Sequence, residues 1–215
     1  MKTGILFDLD GTLLDTLEDL KDAVNYALSY YGCPQRSLEE IRKFVGNGVR
    51  NLLELSLPGK DTDPDFEEFL NTYRNHYAKH NQDKTAPYPG ILQMLETVKG
   101  KYPVGIVSNK HHSAVETMCK DYFGDIYARG EREGCPRKPA PDMIYAAMQD
   151  LGIDRCVYVG DSEVDVITAK NAGVPCLSVL WGFRDKDILL KTGAEHFCER
   201  AEDLPALIDN IIENI

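Results

Sequence analysis

From Pro89 onward, short β-rich runs alternate with stretches of helical periodicity, and nothing else in the chain constrains its fold as much. A helix carrying Ile91, Leu92, Leu95 and Val98 precedes a strand over 104–107, and a helix near 113–122 precedes a short strand near 126–128. The spacing then predicts a helix over 141–151 ended by Gly152, a strand over 156–159, a helix over 164–172 stopped by Gly173, and a strand over 175–180. Two further helical stretches flank a short strand near His196 and Phe197. Strands alternating with helices of this length imply an α/β fold with a doubly wound, Rossmann-like parallel sheet covered on both faces. The sequence shows no internal repeat and no low-complexity tract.

The first strand is expected at the apolar run Gly4, Ile5, Leu6 and Phe7. An all-helical stretch interrupts the pattern directly after it. Leu17, Leu20, Val24, Ala27, Leu28 and Tyr31 fall on one helix face, and Gly32 and Pro34 end that helix. Ser37 and Glu40 have capping-box spacing at the head of a short helix that stops at Gly46, and another turn begins past Gly48. Asp63-Pro64 opens a longer helix whose stripe of Phe66, Phe69, Tyr73 and Tyr77 reads as core packing. The simplest arrangement of the 215 residues is an α/β core of 1–15 and 86–215 with a small all-helical cap domain, 16–85, inserted after the first strand. Pro87, Pro89 and Gly90, with the segment near Asp15, are the expected hinges.

Composition narrows the partners. With 24 Lys and Arg against 35 Asp and Glu, the net charge of −11 argues against nucleic acid and anionic membrane, so any anionic ligand must be held locally. Six cysteines without a Cys-x-x-Cys pair read as reduced packing residues, and no apolar stretch approaches membrane-spanning length. A cytoplasmic protein is expected, and His76, His80, His111 and His112 read as surface or structural residues.

Polar groups matter most at strand mouths, because ligands of open parallel sheets collect beyond the carboxyl ends of the strands. Asp8 and Asp10 stand where the first apolar run stops, and Gly11 lets the backbone turn. Two like charges there must be solvated, metal-bound or hydrogen-bonded, unless the segment is only an acidic turn with a helix cap at Thr12. The strand over 104–107 ends in Ser108-Asn109-Lys110, which either caps a helix or offers a hydroxyl, an amide and backbone N–H groups to an oxyanion. The strand over 156–159 ends in Gly160-Asp161-Ser162-Glu163-Val164-Asp165, alone an acidic helix start but beside Asp8 an oxygen-rich pocket for a hard cation such as Mg²⁺. Pro139 and Pro141 follow Lys138 and Pro136 precedes it, a stiff frame that suits a cation held in one direction.

In this order, Asp8-x-Asp10-Gly11-Thr12, Ser108, Lys138 and Gly160-Asp161-Ser162-x-x-Asp165 resemble the four motifs of the haloacid dehalogenase superfamily. The likeness spans nearly the whole chain and is strongest to its phosphoglycolate phosphatase-like branch, with a helical cap after the first motif. That resemblance implies a Mg²⁺-dependent phosphatase of a small phosphorylated metabolite, a monomer or weak dimer. Asp8 would be the nucleophile forming an aspartyl-phosphate, and Asp10 the acid and then the base. Asp8 and Asp161 would ligate Mg²⁺ through side chains and Asp10 through its main chain, with Asp165 either a ligand or an orienting group. Ser108 and Asn109, with Gly11 and Thr12, would hold phosphate oxygens, and Lys138 would offset their charge. Gly46-Asn47-Gly48-Val49-Arg50 either is a plain glycine turn or brings Gly48 amides and Arg50 to the leaving group. A phosphomutase of the β-phosphoglucomutase type keeps the same motifs, a pyrophosphatase or nucleotidase would suit Arg50, and a phospho-receiver lacks the cap and the second Asp. Trp181-Gly182-Phe183-Arg184 reads as packing.

Overall fold

The computed structural model describes residues 1–59 and 64–214. The chain divides into two compact units, Met1–Leu14 with Pro87–Ile215, and Asp15–Ala86. In chain order the elements begin β1 (Thr3–Phe7), β2 (Leu14–Asp15), α1 (Leu17–Tyr30), α2 (Leu38–Phe44), α3 (Gly48–Ser56), α4 (Phe66–His80) and β3 (Ala86–Pro87). They continue with α5 (Ile91–Lys99), β4 (Val104–His111), α6 (His112–Phe123), β5 (Tyr127–Glu131), α7 (Asp142–Leu151), β6 (Arg155–Gly160) and α8 (Glu163–Ala172). The chain closes with β7 (Cys176–Val179), α9 (Lys186–Thr192), β8 (His196–Cys198) and α10 (Leu204–Glu213).

The first unit is an α/β structure whose six strands run in the order β5-β4-β1-β6-β7-β8 and pair in parallel throughout. β1 sits near the middle because both its faces are apolar: Ile5, Leu6 and Phe7 are fully buried. Alternation sends Ile5 and Phe7 to one face, where they pack with residues of α5, α6 and α10. Leu6, Val107 and Tyr158 face the other layer, formed by Met143, Ile144 and Ala147 of α7 and Ala169 of α8. Each buried aliphatic side chain contributes roughly 1.5–3 kcal/mol, so the strand interiors leave little room for charge and polar residues gather at the strand ends. β4 and β5 lie on one side of β1 and β6 to β8 on the other, which puts the point where strand order reverses beside the carboxyl end of β1.

One strand departs from its expected bounds. β4 runs on to His111 instead of stopping at Val107, because pairing with β5 resumes at His111 and Glu131 after an irregularity. Ser108 therefore lies inside a bulged strand and caps no helix; α6 starts four residues later.

The second unit is all-helical. Ser37 and Glu40 form both halves of the capping box at the start of α2. Past Gly48 comes a nine-residue helix, α3, more than a turn. α4 is capped by Asp65, whose carboxylate accepts from the amides of Glu67 and Glu68; Asp63, expected to help open it, lies outside the described residues. The stripe of Phe69, Tyr73 and Tyr77 is buried in the core of this unit with Val24, Leu28 and Ile41, while Phe66 packs at its edge. Buried Asp19 of α1 accepts from the amides of Lys84 and Thr85 and from the Thr85 hydroxyl, tying the end of the unit to its first helix. Among the described residues no helix is long and apolar enough to cross a membrane.

Candidate active site

Asp8 is the first residue past β1 and Asp161 the first past β6, so the parallel register of these neighbouring strands brings two carboxylates to one sheet edge. Asp165, on the first turn of α8, joins them: ligand atoms of Asp8, Asp161 and Asp165 all lie within 4.8 Å of one another, and all three residues are buried. Lys138 reaches the same place from the loop before α7. Its ammonium lies 2.9 Å from Asp8 Oδ1 and 2.8 Å from Asp165 Oδ1, with the side chain only 2% exposed.

Asp8 Oδ1 also accepts the Leu9 amide at 2.7 Å. Among the described residues Oδ2 receives no hydrogen bond, so one oxygen is anchored and the other left unengaged. Asp165 differs, because both of its oxygens are fully used. Oδ1 accepts from Lys138 and Tyr158, and Oδ2 from the amides of Asp161 and Ser162 and the Ser162 hydroxyl. That saturation makes Asp165 a group that fixes the loop and the lysine.

Charge explains the titration behaviour. Three buried carboxylates face one buried ammonium, and a cluster with that imbalance must take up protons or a cation. Burial, then the charge of Asp165, holds the Asp8 carboxyl well above the ordinary range, although Lys138 opposes this. Burial, then Asp165, also pushes Asp161 up to about 7. Burial works against ionising Asp165, yet Lys138 and Ser162 outweigh it and keep that carboxyl below its usual value. For Lys138 burial disfavours the charge, and Asp165 and Asp8 more than restore it. An all-oxygen donor set with excess negative charge fits a hard divalent cation, Mg²⁺ above softer metals.

The other expected residues fall into place less uniformly. Ser108 is buried, its Oγ accepts the Lys110 amide, and its hydroxyl hydrogen has no acceptor among the described residues. Thr12 caps no helix: its hydroxyl donates to Asp161 Oδ1 at 3.0 Å. Asn109, expected at a phosphate, spends its side chain on Lys138, accepting from the backbone N–H at 2.8 Å and donating to the carbonyl at 3.0 Å. Gly11 has φ +83°, and a methyl group there would come 2.4 Å from Asp161 Oδ2. The Asp10 carboxylate stands apart from the three-acid cluster and pairs with Lys110 Nζ at 2.7 Å, both side chains largely buried. Arg50 is half-exposed within the helical unit, ion-paired to Glu67 and 4.6 Å from the Phe66 ring centre, and Gly48 opens α3 with φ +80°.

Three contributors were not visible as such in the sequence. Lys110 is a run-of-the-mill loop lysine until it meets Asp10. Tyr158 sits in an apolar strand, where only its hydroxyl hints at a polar partner. The segment 181–184, expected to be packing, clamps the site. The Phe183 amide donates to Asp161 Oδ2 at 2.7 Å, the Trp181 indole to the Thr12 carbonyl at 3.0 Å, and Arg184 pairs with Glu163. Gly182 between them has no room for a side chain, since a methyl would lie 2.3 Å from Asp161 Cβ and 2.4 Å from the Gly11 carbonyl. Of the histidines, His76 stacks on Tyr26 and on His80, and His112 accepts the Gly130 amide. All six cysteines are free.

The chain matches the haloacid dehalogenase-like hydrolase family over residues 5–179. It is 33% identical over 217 residues to a phosphoglycolate phosphatase of Aquifex aeolicus, covering 97% of each chain. It is 34% identical over 189 residues to one of Cereibacter sphaeroides, covering 84% of this chain and 86% of that one. A crystal structure from Lactobacillus delbrueckii subsp. bulgaricus, described as a candidate phosphoglycolate phosphatase, superposes with a TM-score of 0.87 at 35% identity, covering 97% of this chain and 99% of that chain.

Proposed function

The chain belongs to the haloacid dehalogenase-like hydrolases and is a phosphatase of a small phosphorylated substrate, and we propose that it works through an aspartyl-phosphate on Asp8. The observation that carries this reading is the anchored, buried Asp8: Lys138 and the Leu9 amide hold one oxygen, and the other stays unengaged. In the first step Asp8 Oδ2 attacks phosphorus, the bond from phosphorus to the ester oxygen breaks, and Asp10 gives its proton to the departing alkoxide. In the second step Asp10 takes a proton from water, whose oxygen attacks phosphorus. The bond from Asp8 to phosphorus breaks, and inorganic phosphate leaves.

A carboxylate attacking a phosphate dianion needs its charge offset. Lys138 supplies one positive charge at the nucleophile, and Ser108 has a hydroxyl hydrogen to give to a phosphate oxygen. Asp8 and Asp161, with the main chain of Asp10, would hold Mg²⁺, which when bound neutralises phosphoryl charge. Asp165, its oxygens already taken, keeps Lys138 and the Asp161 loop in position. Lys110 holds the Asp10 carboxylate at a fixed place.

For the substrate we favour a phosphoglycolate-like ester, a small phosphate whose leaving group carries a carboxylate; the shared name of the relatives supports this. The helical unit 16–85 then acts as a cap, in which Arg50 and the Gly48 amide recognise that carboxylate. Steady-state phosphate release tests the proposal, with purified protein, Mg²⁺ and a panel containing 2-phosphoglycolate, sugar phosphates, nucleotides and p-nitrophenyl phosphate. Magnesium-dependent turnover with 2-phosphoglycolate among the best substrates is expected. A single stoichiometric phosphorylation without turnover, or equal rates with and without Mg²⁺, would overturn it.

A further inference from the structure

We propose that Tyr158 is a positioning residue for the reaction, acting as the neutral third leg of a tripod that holds the Lys138 ammonium against the nucleophile; this rests on the reading of Lys138 given above. A lysine ammonium has three N–H donors. Here they meet three oxygens: Asp8 Oδ1 at 2.9 Å, Asp165 Oδ1 at 2.8 Å and the Tyr158 hydroxyl at 2.9 Å. The ammonium is 5.5 Å from the Tyr158 ring centre, so it lies off the hydroxyl edge of the ring and the contact is a hydrogen bond, not a stacked cation.

The hydroxyl is itself held. It lies 3.2 Å from the Val107 carbonyl and 3.2 Å from Asp165 Oδ1, so its own hydrogen has an acceptor while its lone pair faces Lys138. Tyr158 is among the largest fully buried side chains, locked between β4 and the α7–α8 layer. Two of the legs are carboxylates, and they alone would leave the ammonium free to swing about the line joining them. The third leg removes that freedom without adding negative charge to a cluster already in excess. Asn109 fixes the backbone of the same lysine, so side chain and main chain are constrained separately. During phosphoryl transfer the lysine must meet charge that develops over the migrating group, and a tethered ammonium loses less to reorganisation.

The test is Tyr158→Phe, which removes one oxygen and keeps the ring, with Tyr127→Phe as a control that removes a phenol hydroxyl on the outer strand β5. For Tyr158→Phe, kcat toward p-nitrophenyl phosphate should fall on the order of fivefold to tenfold while KM changes less than about twofold. Inhibition by orthovanadate, which mimics the five-coordinate transition state, should weaken by a similar factor, whereas inhibition by inorganic phosphate should hardly move. The Tyr127→Phe control should keep wild-type kcat. A second readout needs no turnover: the ¹⁵Nζ–¹H signal of Lys138 should be slow to exchange in the wild type and broadened by exchange in Tyr158→Phe. Wild-type kcat and vanadate inhibition in Tyr158→Phe, or an unchanged ammonium signal, would overturn the tether while leaving the phosphatase mechanism standing. A wild-type protein without turnover would instead sink the mechanism, and the ammonium signal would still decide whether Tyr158 holds the lysine.

Discussion

The cluster at the carboxyl ends of β1 and β6 and the start of α3 around Arg50 both present charge, but they present it in opposite ways. In the cluster every charged group is buried and held by partners drawn from distant parts of the same α/β unit: Lys138 by Asp8, Asp165 and Tyr158, and Asp161 by Thr12 and Phe183. Arg50 in the helical unit is half-exposed, and its guanidinium is met by Glu67 from the next helix and by the face of Phe66. A buried, over-determined cluster suits chemistry that needs fixed geometry, whereas an exposed pair exchanges partners at little cost. On the proposed reading, the contrast separates a reaction centre, which tolerates almost no change, from a recognition element, which can drift from one substrate to another.

The largest effect that would sharpen this contrast comes from Lys138→Met. With the ammonium gone, three buried carboxylates face one another. Turnover should fall by at least about a thousandfold, and the metal-free fold should lose about 3–5 kcal/mol in urea unfolding. A variant that keeps most of its activity would break the contrast at its stronger end. Next comes Gly182→Ala, which forces a methyl group against Asp161 Cβ. Phosphate release should drop by about a hundredfold, with loss of the Mg²⁺-induced rise in Tm; an intact Mg²⁺ response would show that the 181–184 segment only packs. Smaller again is Arg50→Ala, expected to raise KM for carboxylate-bearing phosphates about tenfold and for p-nitrophenyl phosphate less than twofold. Equal changes for both substrates would remove Arg50 from recognition. The smallest effect is chemical. Burial pushes the Cys119 and Cys156 thiols up to about 12, so at pH 8 almost no thiolate exists and iodoacetamide should spare them while labelling the half-buried Cys33 and Cys135. Rapid labelling of Cys156, read by mass spectrometry, would mean that the sheet opens more readily than its packing suggests.

Much of the architecture could be read from local pattern. The run from Gly4 to Phe7 becomes a central strand because residues apolar on both faces need cover on both sides. Gly152 and Gly173 stop α7 and α8 in left-handed conformations, as their positions after the periodic stretches imply. Local pattern ends β4 at Val107 because Ser108, Asn109 and Lys110 look like loop, and only pairing with β5 carries the strand past them. At the site, residue type and position put Asp8 and Asp161 at strand ends and Lys138 in a stiff segment leading into a helix, but did not show which partner each would choose. Thr12 and Asn109 could equally hold a phosphate or a neighbour, and it took contacts across 149 and 29 residues to bring their side chains to Asp161 and Lys138. Tyr158 and the 181–184 segment were hidden for the same reason, since an aromatic residue in an apolar run looks like packing until its hydroxyl or amide finds a charged group.

The central claim, that Asp8 carries the phosphoryl group, is tested most directly by acid-quenching the wild-type protein during turnover of a ³²P-labelled phosphate ester with Mg²⁺ and mapping the label. The account predicts an acid-stable, alkali-labile phosphate on the peptide containing Asp8, absent from Asp8→Asn, which keeps the wild-type fold but releases no phosphate. Steady turnover with no label at Asp8, or an Asp8→Asn variant working at the wild-type rate, would contradict it.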